Sequence, residues 1–313
     1  MRALVTGGAG FLGSALVDRL LAEGHDVDVV DDLSTGSLGN LADARSNPAG
    51  KVTFHHLDIR SVDVVDLIGR RHAEVVFHLV GVADEQLSLT NPGNDADVTV
   101  LGTVRVLEGA RAAGARKVVF ASSAAIYGDP AAEALPVKES YPQQPLSPHG
   151  VAKRAAADYL TAYRAVHDLE YTALALANVY GPRQRPEPVI AAFAARMLAG
   201  EPCTITGDGE QRRDFVYVDD AVDALARAAD RGSGLLCNIG TGRSTSINRL
   251  HQVMSAVAGS EQAPLYAPAR AFERRRSAVD AGRAALHLGW RPWTPLEDGV
   301  AATLEWLRGR RSR

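Results

Sequence analysis

Gly7, Gly8, Gly10 and Gly13 crowd one turn between an apolar stretch, 3–5, and a run, 11–21, whose apolar residues recur at helical spacing. A strand, a tight turn and a helix satisfy that order. The glycines fit both G-x-G-x-x-G (Gly8, Gly10, Gly13) and G-x-x-G-x-x-G (Gly7, Gly10, Gly13). Such a turn brings backbone N–H groups and the helix start, here Phe11 and Leu12, onto a pyrophosphate, while the third glycine permits close helix-to-strand packing. A second apolar stretch, 27–30, ends in Asp31. A carboxylate roughly 20 residues past the turn can take the adenosine ribose hydroxyls and would repel a 2′-phosphate, so the pattern predicts NAD rather than NADP.

Apolar strand candidates at 3–5, 27–30, 52–55, 75–79, 117–121 and 172–176 alternate with helical segments. That alternation predicts an α/β protein, a Rossmann-type doubly wound parallel sheet whose ligands lie beyond the carboxyl ends of the strands. Candidate site residues follow the strands: Asp58 and Ile59 the third, Leu79, Val80 and Gly81 the fourth, and Ser122 and Ser123 the fifth. Past Asn178, prolines and glycines punctuate shorter segments and the alternation stops. We therefore expect an NAD-binding domain over 1–178 and a smaller α/β substrate-binding lobe over 179–313, with segments free to cross back.

A net charge of −3, from 34 basic and 37 acidic residues, offers no broad surface for nucleic acid. Cys203 and Cys237 stand far apart without a C-x-x-C spacing, so neither a disulfide framework nor a zinc site is expected. No apolar run reaches membrane-spanning length and no signal-peptide pattern precedes the glycine turn, which together predict a cytoplasmic protein. The segment 95–113 carries Val98, Val100, Leu101, Val104, Val106 and Leu107, apolar groups around most of a helix. One face suffices for packing on a sheet. The other predicts a homodimer, in which this helix and the one after Pro148 form a four-helix bundle with a second subunit.

Ser147 and Pro148 read as the N-cap and first residue of a helix on which His149 and Lys153, four apart, share a face. With TGGAGFLG, Asp31, Asp58, SSAAIYG from Ser122, NVYGPR from Asn178, GDGEQRRDFVYVDD from Gly207, NIGTG from Asn238 and LGW from Leu288, nearly the whole chain resembles the extended short-chain dehydrogenase/reductases, in their nucleotide-sugar epimerase and dehydratase branch. The resemblance implies a UDP-sugar substrate, oxidised and reduced at C4 with NAD recycled. It implies catalytic roles for Ser123 and Lys153, and it places Asn178, Arg213 and Arg270 near the diphosphate and Glu273 on the nucleotide ribose. Arg185, in the run 181–186, resembles the arginine that meets the sugar carboxylate in UDP-glucuronate 4-epimerases, although relatives acting on the uronate carry Thr where this chain has Asn178.

Four positions set this chain apart from some or all of those relatives. His149 stands where Tyr-x-x-x-Lys has its catalytic base, Thr99 stands where relatives commonly carry Asn, and Ala124 and Ala125 stand where dehydrating relatives carry an Asp-Glu pair. Alanine transfers no proton, which argues against 4,6-dehydration and, through Ala125, against a UDP-glucuronate decarboxylase. Neutral imidazole accepts protons near neutral pH. It is shorter than a phenol, however, and Lys153 would depress its basicity, so turnover is expected to be weak or absent unless the sugar sits closer or a water intervenes. An engineered knock-out of a tyrosine enzyme, a natural variant using His149 and a catalytically silent homologue that only binds all remain open at this level. UDP-glucose/galactose and UDP-glucuronate/galacturonate are both open as substrates.

Overall fold

The computed structural model describes residues 1–82, 84–269 and 274–311. Arg270 and Glu273 lie outside the described residues. The glycine turn forms as expected, between β1 (Arg2–Thr6) and α1 (Phe11–Ala22), and β2 (Asp26–Asp31) and β3 (Val52–His56) follow with the short helix α2 (Ala42–Ser46) between them. Helix α3 (Asp63–Arg71) leads to β4 (Val75–His78), then α4 (Glu85–Thr90), α5 (Pro92–Asp95), a π-helical turn Ala96–Leu101 and α6 (Gly102–Ala113). The segment expected as one helix over 95–113 is thus under-wound into a π turn near its start. Strand β5 (Lys117–Ser123), α7 (Pro148–His167) and β6 (Glu170–Leu176) complete the first lobe.

The main sheet runs β11 (Leu235–Ile239), β6, β5, β4, β1, β2, β3, every pair parallel. Six of these strands have the dinucleotide-binding order, with the crevice where the order reverses between β1 and β4. The seventh, β11 (Leu235–Ile239), comes from beyond residue 178. The chain passes through β7 (Asn178–Tyr180), α8 (Val189–Ala199), β8 (Thr204–Thr206), β9 (Arg212–Arg213), β10 (Phe215–Tyr217) and α9 (Val218–Ala228), which packs on α1, before it returns to the sheet edge. A cut at 178 therefore separates the chain but not the core. The main core cluster runs from Val5 and Leu16 through Leu174 to Val222, Cys237 and Leu250, because β11 and α9 bury their apolar faces on the first lobe. Among the described residues no helix is long and apolar enough to cross a membrane.

Candidate active site

Backbone crowding explains the glycine turn. A Cβ on Gly13 would collide with the Gly7 carbonyl, and one on Gly7, itself at φ +73°, would press on Val80 at 3.2 Å. The turn and the end of β4 are therefore closed on each other, with the first-turn amides of α1, which have no intrahelical acceptors, left for a ligand. Asp31 stands at the end of β2 and accepts from Ala9 N at 2.9 Å and Leu33 N at 2.8 Å. Burial raises its pKa while the two amides pull the other way. Asp58 is held by Arg60 through Nε at 2.8 Å, which lowers its pKa, and Ile59 is buried with its side chain against Gly102. A ribose-binding carboxylate beside a cradle that only glycine fits is what NAD requires, so these residues suit that cofactor.

The candidate proton-transfer groups Ser123, His149 and Lys153 lie at the carboxyl ends of β4 and β5. Lys153 points its Nζ to the Ala121 carbonyl at 2.8 Å, with the Phe120 ring centroid 4.8 Å away. Burial brings its pKa down to about 8, and Asp95 opposes the shift. Ser123 ends β5 and accepts the Ala125 N–H at 3.1 Å, capping the short turn Ala124–Tyr127. Helix α7 starts as expected: Ser147 accepts from Gly150 N at 3.2 Å and Pro148 takes the first helical position. Gly150 lets this start approach the Ser123 turn, since a Cβ there would lie 2.7 Å from the Ala125 carbonyl.

His149 is only 6 % exposed, and its Nδ1 lies 2.7 Å from the Val82 carbonyl oxygen. A carbonyl cannot donate, so Nδ1 carries the hydrogen and Nε2 holds the lone pair of the neutral ring. Burial lowers the His149 pKa most and the Lys153 ammonium lowers it further, while Glu85, Asp95 and the Val82 carbonyl oppose them. The like-charge effect expected from the sequence is present. Two carboxylates not singled out from the sequence stand against it.

Two of the candidate diphosphate residues, Asn178 and Arg213, are set around Asp214. Its buried carboxylate accepts from Thr241 N at 2.9 Å and Oγ1 at 2.6 Å, from Gly242 N at 3.0 Å and from Val279 N at 3.2 Å, and its carbonyl accepts from Asn178 N at 2.9 Å. Next to it, Arg213 donates to the Arg274 carbonyl at 2.7 Å, and Arg274 reaches across to Glu85 on α4 at 2.7 Å. Asn178 is exposed, and Arg185 is exposed and paired with Glu187 at 3.1 Å.

The model of the NAD dependent epimerase/dehydratase family matches residues 3–240. The chain belongs to that family. It is 44 % identical to the UDP-glucose 4-epimerase of Mycolicibacterium smegmatis, over 99 % of each chain. The solved UDP-glucose 4-epimerase of Thermotoga maritima, crystallised with UDP-glucose, superposes with a TM-score of 0.95 at 39 % identity, covering 99 % of this chain and 100 % of that one. The Thermus thermophilus UDP-glucose 4-epimerase complex with NAD matches at 0.91 and 35 % identity, over 99 % of both chains. This member of the epimerase/dehydratase family is therefore UDP-glucose 4-epimerase-like along its whole length, and its cofactor is NAD.

Proposed function

We propose that this chain interconverts UDP-glucose and UDP-galactose through a transient 4-keto sugar, with His149 standing in the place of the catalytic tyrosine. The observation that carries the reading is the bond from His149 Nδ1 to Val82, which leaves Nε2 as the ring's one proton acceptor. Gly7, Gly10, Phe11, Leu12, Gly13, Asp31, Asp58, Ile59, Leu79, Val80, Gly81 and Lys153 would hold NAD, and bound NAD supplies the reversible two-electron exchange at C4. His149 Nε2 takes the C4 hydroxyl proton as the ketone forms and returns it when the ketone is reduced. Ser123 already accepts from Ala125 N, so its own hydroxyl hydrogen is available to the C4 oxygen. Lys153 adds positive charge beside the developing alkoxide and donates to the cofactor ribose.

Asn178, Arg213 and Arg270 are assigned to the diphosphate and Glu273 to the nucleotide ribose. Arg185 is kept for the C6 carboxylate of a uronate, so unchanged UDP-galacturonate affinity in Arg185→Ala would remove that role. The exposed Leu87, Leu101, Val151 and Tyr159, around α4, the π turn and α7, support a homodimer closed as a four-helix bundle. A cytoplasmic location completes the reading.

The test is a side-by-side NMR time course of UDP-galactose and UDP-galacturonate with this chain and with His149→Tyr. Slow conversion of UDP-galactose already by the histidine form, because Glu85 and Asp95 oppose the effect of Lys153 on the imidazole, is the expected result. Conversion only by the tyrosine variant would make this chain an inactivated epimerase. Silence in both would leave a protein that binds without reacting.

A further inference from the structure

A line of buried hydrogen bonds runs from His149 to a carboxylate on another element. Val82, whose carbonyl accepts from His149, has its own N–H 3.3 Å from Thr99 Oγ1. That hydroxyl donates to Asp95 Oδ1 at 2.6 Å, and Ser88 Oγ donates to Asp95 Oδ2 at 2.6 Å. Asp95, Thr99 and Ser88 are fully buried. Among the described residues Asp95 lies in no salt bridge, so a buried charge is held here by two hydroxyls. Every donor along the line points toward the carboxylate.

We propose that Asp95 is a positioning residue for His149, acting through Thr99 and Val82: it fixes the Nδ1–H tautomer and supplies the negative charge against which the imidazolium forms. The inference rests on the reading of His149 as base. A base that must become cationic beside Lys153 needs an opposing charge that water does not supply in a buried site. Threonine suits the linking position, since its single hydroxyl donates to the carboxylate while accepting from the peptide.

The charges acting on His149 are Lys153 from its own helix, Glu85 from α4 and Asp95 from α5. Glu85 is paired with Arg274, whereas Asp95 is held by the two hydroxyls and acts on both Lys153 and His149. His78 of β4 is neutral, its pKa brought down to about 3 by burial and by Lys153. Tyr127, on the turn after β5, gives its hydroxyl hydrogen to Asn238 at 2.7 Å.

The experiment follows the imidazole of His149 by 15N NMR in the full chain, with NAD and UDP added, for the parent, Asp95→Asn and Thr99→Val. Asp95→Asn is expected to lower the His149 pKa by roughly one unit, and Thr99→Val to let the two neutral tautomers mix. Should Asp95→Asn fail to fold, Thr99→Val keeps the carboxylate and still breaks the link. Turnover adds a second readout: kcat should fall roughly threefold to tenfold in Asp95→Asn, and by less in a His149→Tyr background, where only the effect of Asp95 on Lys153 persists. An unmoved His149 pKa in folded Asp95→Asn, or an unmoved tautomer in Thr99→Val, overturns the inference. Neither NMR readout needs turnover. A silent parent whose imidazole shifts as expected leaves Asp95 in its role and removes the base reading, whereas an active parent with an unmoved imidazole overturns the role of Asp95 alone.

Discussion

The ammonium of Lys153 occupies the space that a side chain on Gly81 would take: a Cβ there would lie 2.6 Å from Nζ and 3.4 Å from Thr99 Oγ1. Residue 81 is therefore glycine for the sake of a side chain on another element, not for its own backbone. Gly81→Ala should push Lys153 off the Ala121 carbonyl and so out of the place the proposed reaction gives it. We expect kcat to fall at least about tenfold with the fold retained, read by initial rates together with circular dichroism. Unchanged kinetics would mean that Lys153 tolerates displacement.

The rate profile should be bell-shaped. The base must be neutral, and burial with Lys153 places the His149 pKa below the ordinary histidine value, so the acid limb should fall only below about pH 6.5. Lys153 loses its charge near 8, and activity should decline above that pH. In His149→Tyr the acid limb should move, because a different group then titrates. Measuring kcat/KM from pH 5 to 10 checks both limbs; an acid limb above pH 7 would exclude His149 as the base.

His78 makes the fold sensitive to acid. Its Nε2–H donates to Thr103 Oγ1 at 2.9 Å, because that hydroxyl gives its own hydrogen to the Thr99 carbonyl, and its Nδ1 accepts from Thr6 at 2.7 Å. The folded pKa of about 3 lies below the unfolded value near 6.5. Below 6.5 the unfolded chain binds the extra proton, so stability is lost as pH falls from about 6.5 toward about 3, by roughly 2 kcal/mol at pH 5. Urea midpoints at pH 7 and pH 5 measure the change, and His78→Gln should flatten it.

Asp214 is a buried anchor of the chain beyond residue 178, with four donors on its two carboxylate oxygens. Asp214→Asn replaces one acceptor oxygen with a donor and turns it against amides that cannot move. We expect a loss of about 1–3 kcal/mol, seen as a lower melting temperature, together with weaker UDP binding because Arg213 and Asn178 flank the anchor. An unchanged melting temperature would mean that the loop rearranges freely.

Much of this was legible from local pattern. The glycine turn, Asp31 at the end of the second strand and the Ser147 cap preceding His149 all depend on neighbours a few residues apart, and the structure has each of them. The return of β11 to the sheet was less legible, since 235–239 reads as one more short apolar segment and only its pairing with β6 marks it as a core strand. Asp95 carried a faint signal: it lies four residues before Thr99 on a helical stretch, the spacing at which side chains meet. Arg274 and Glu85 carried none, being 189 positions apart.

By itself the sequence determined which chemical groups exist and the short-range geometry that spacing imposes: a glycine turn before a helix, a carboxylate at the end of the second strand, a histidine one helical turn from a lysine. What those groups are chemically was decided by the tertiary structure. Burial moves the pKa values of His149 and Lys153, a backbone carbonyl from a different element selects the imidazole tautomer, and carboxylates from two further helices act on its charge. Desolvation and through-space charge depend on everything that packs around a group, and residues distant in sequence supply most of that surrounding.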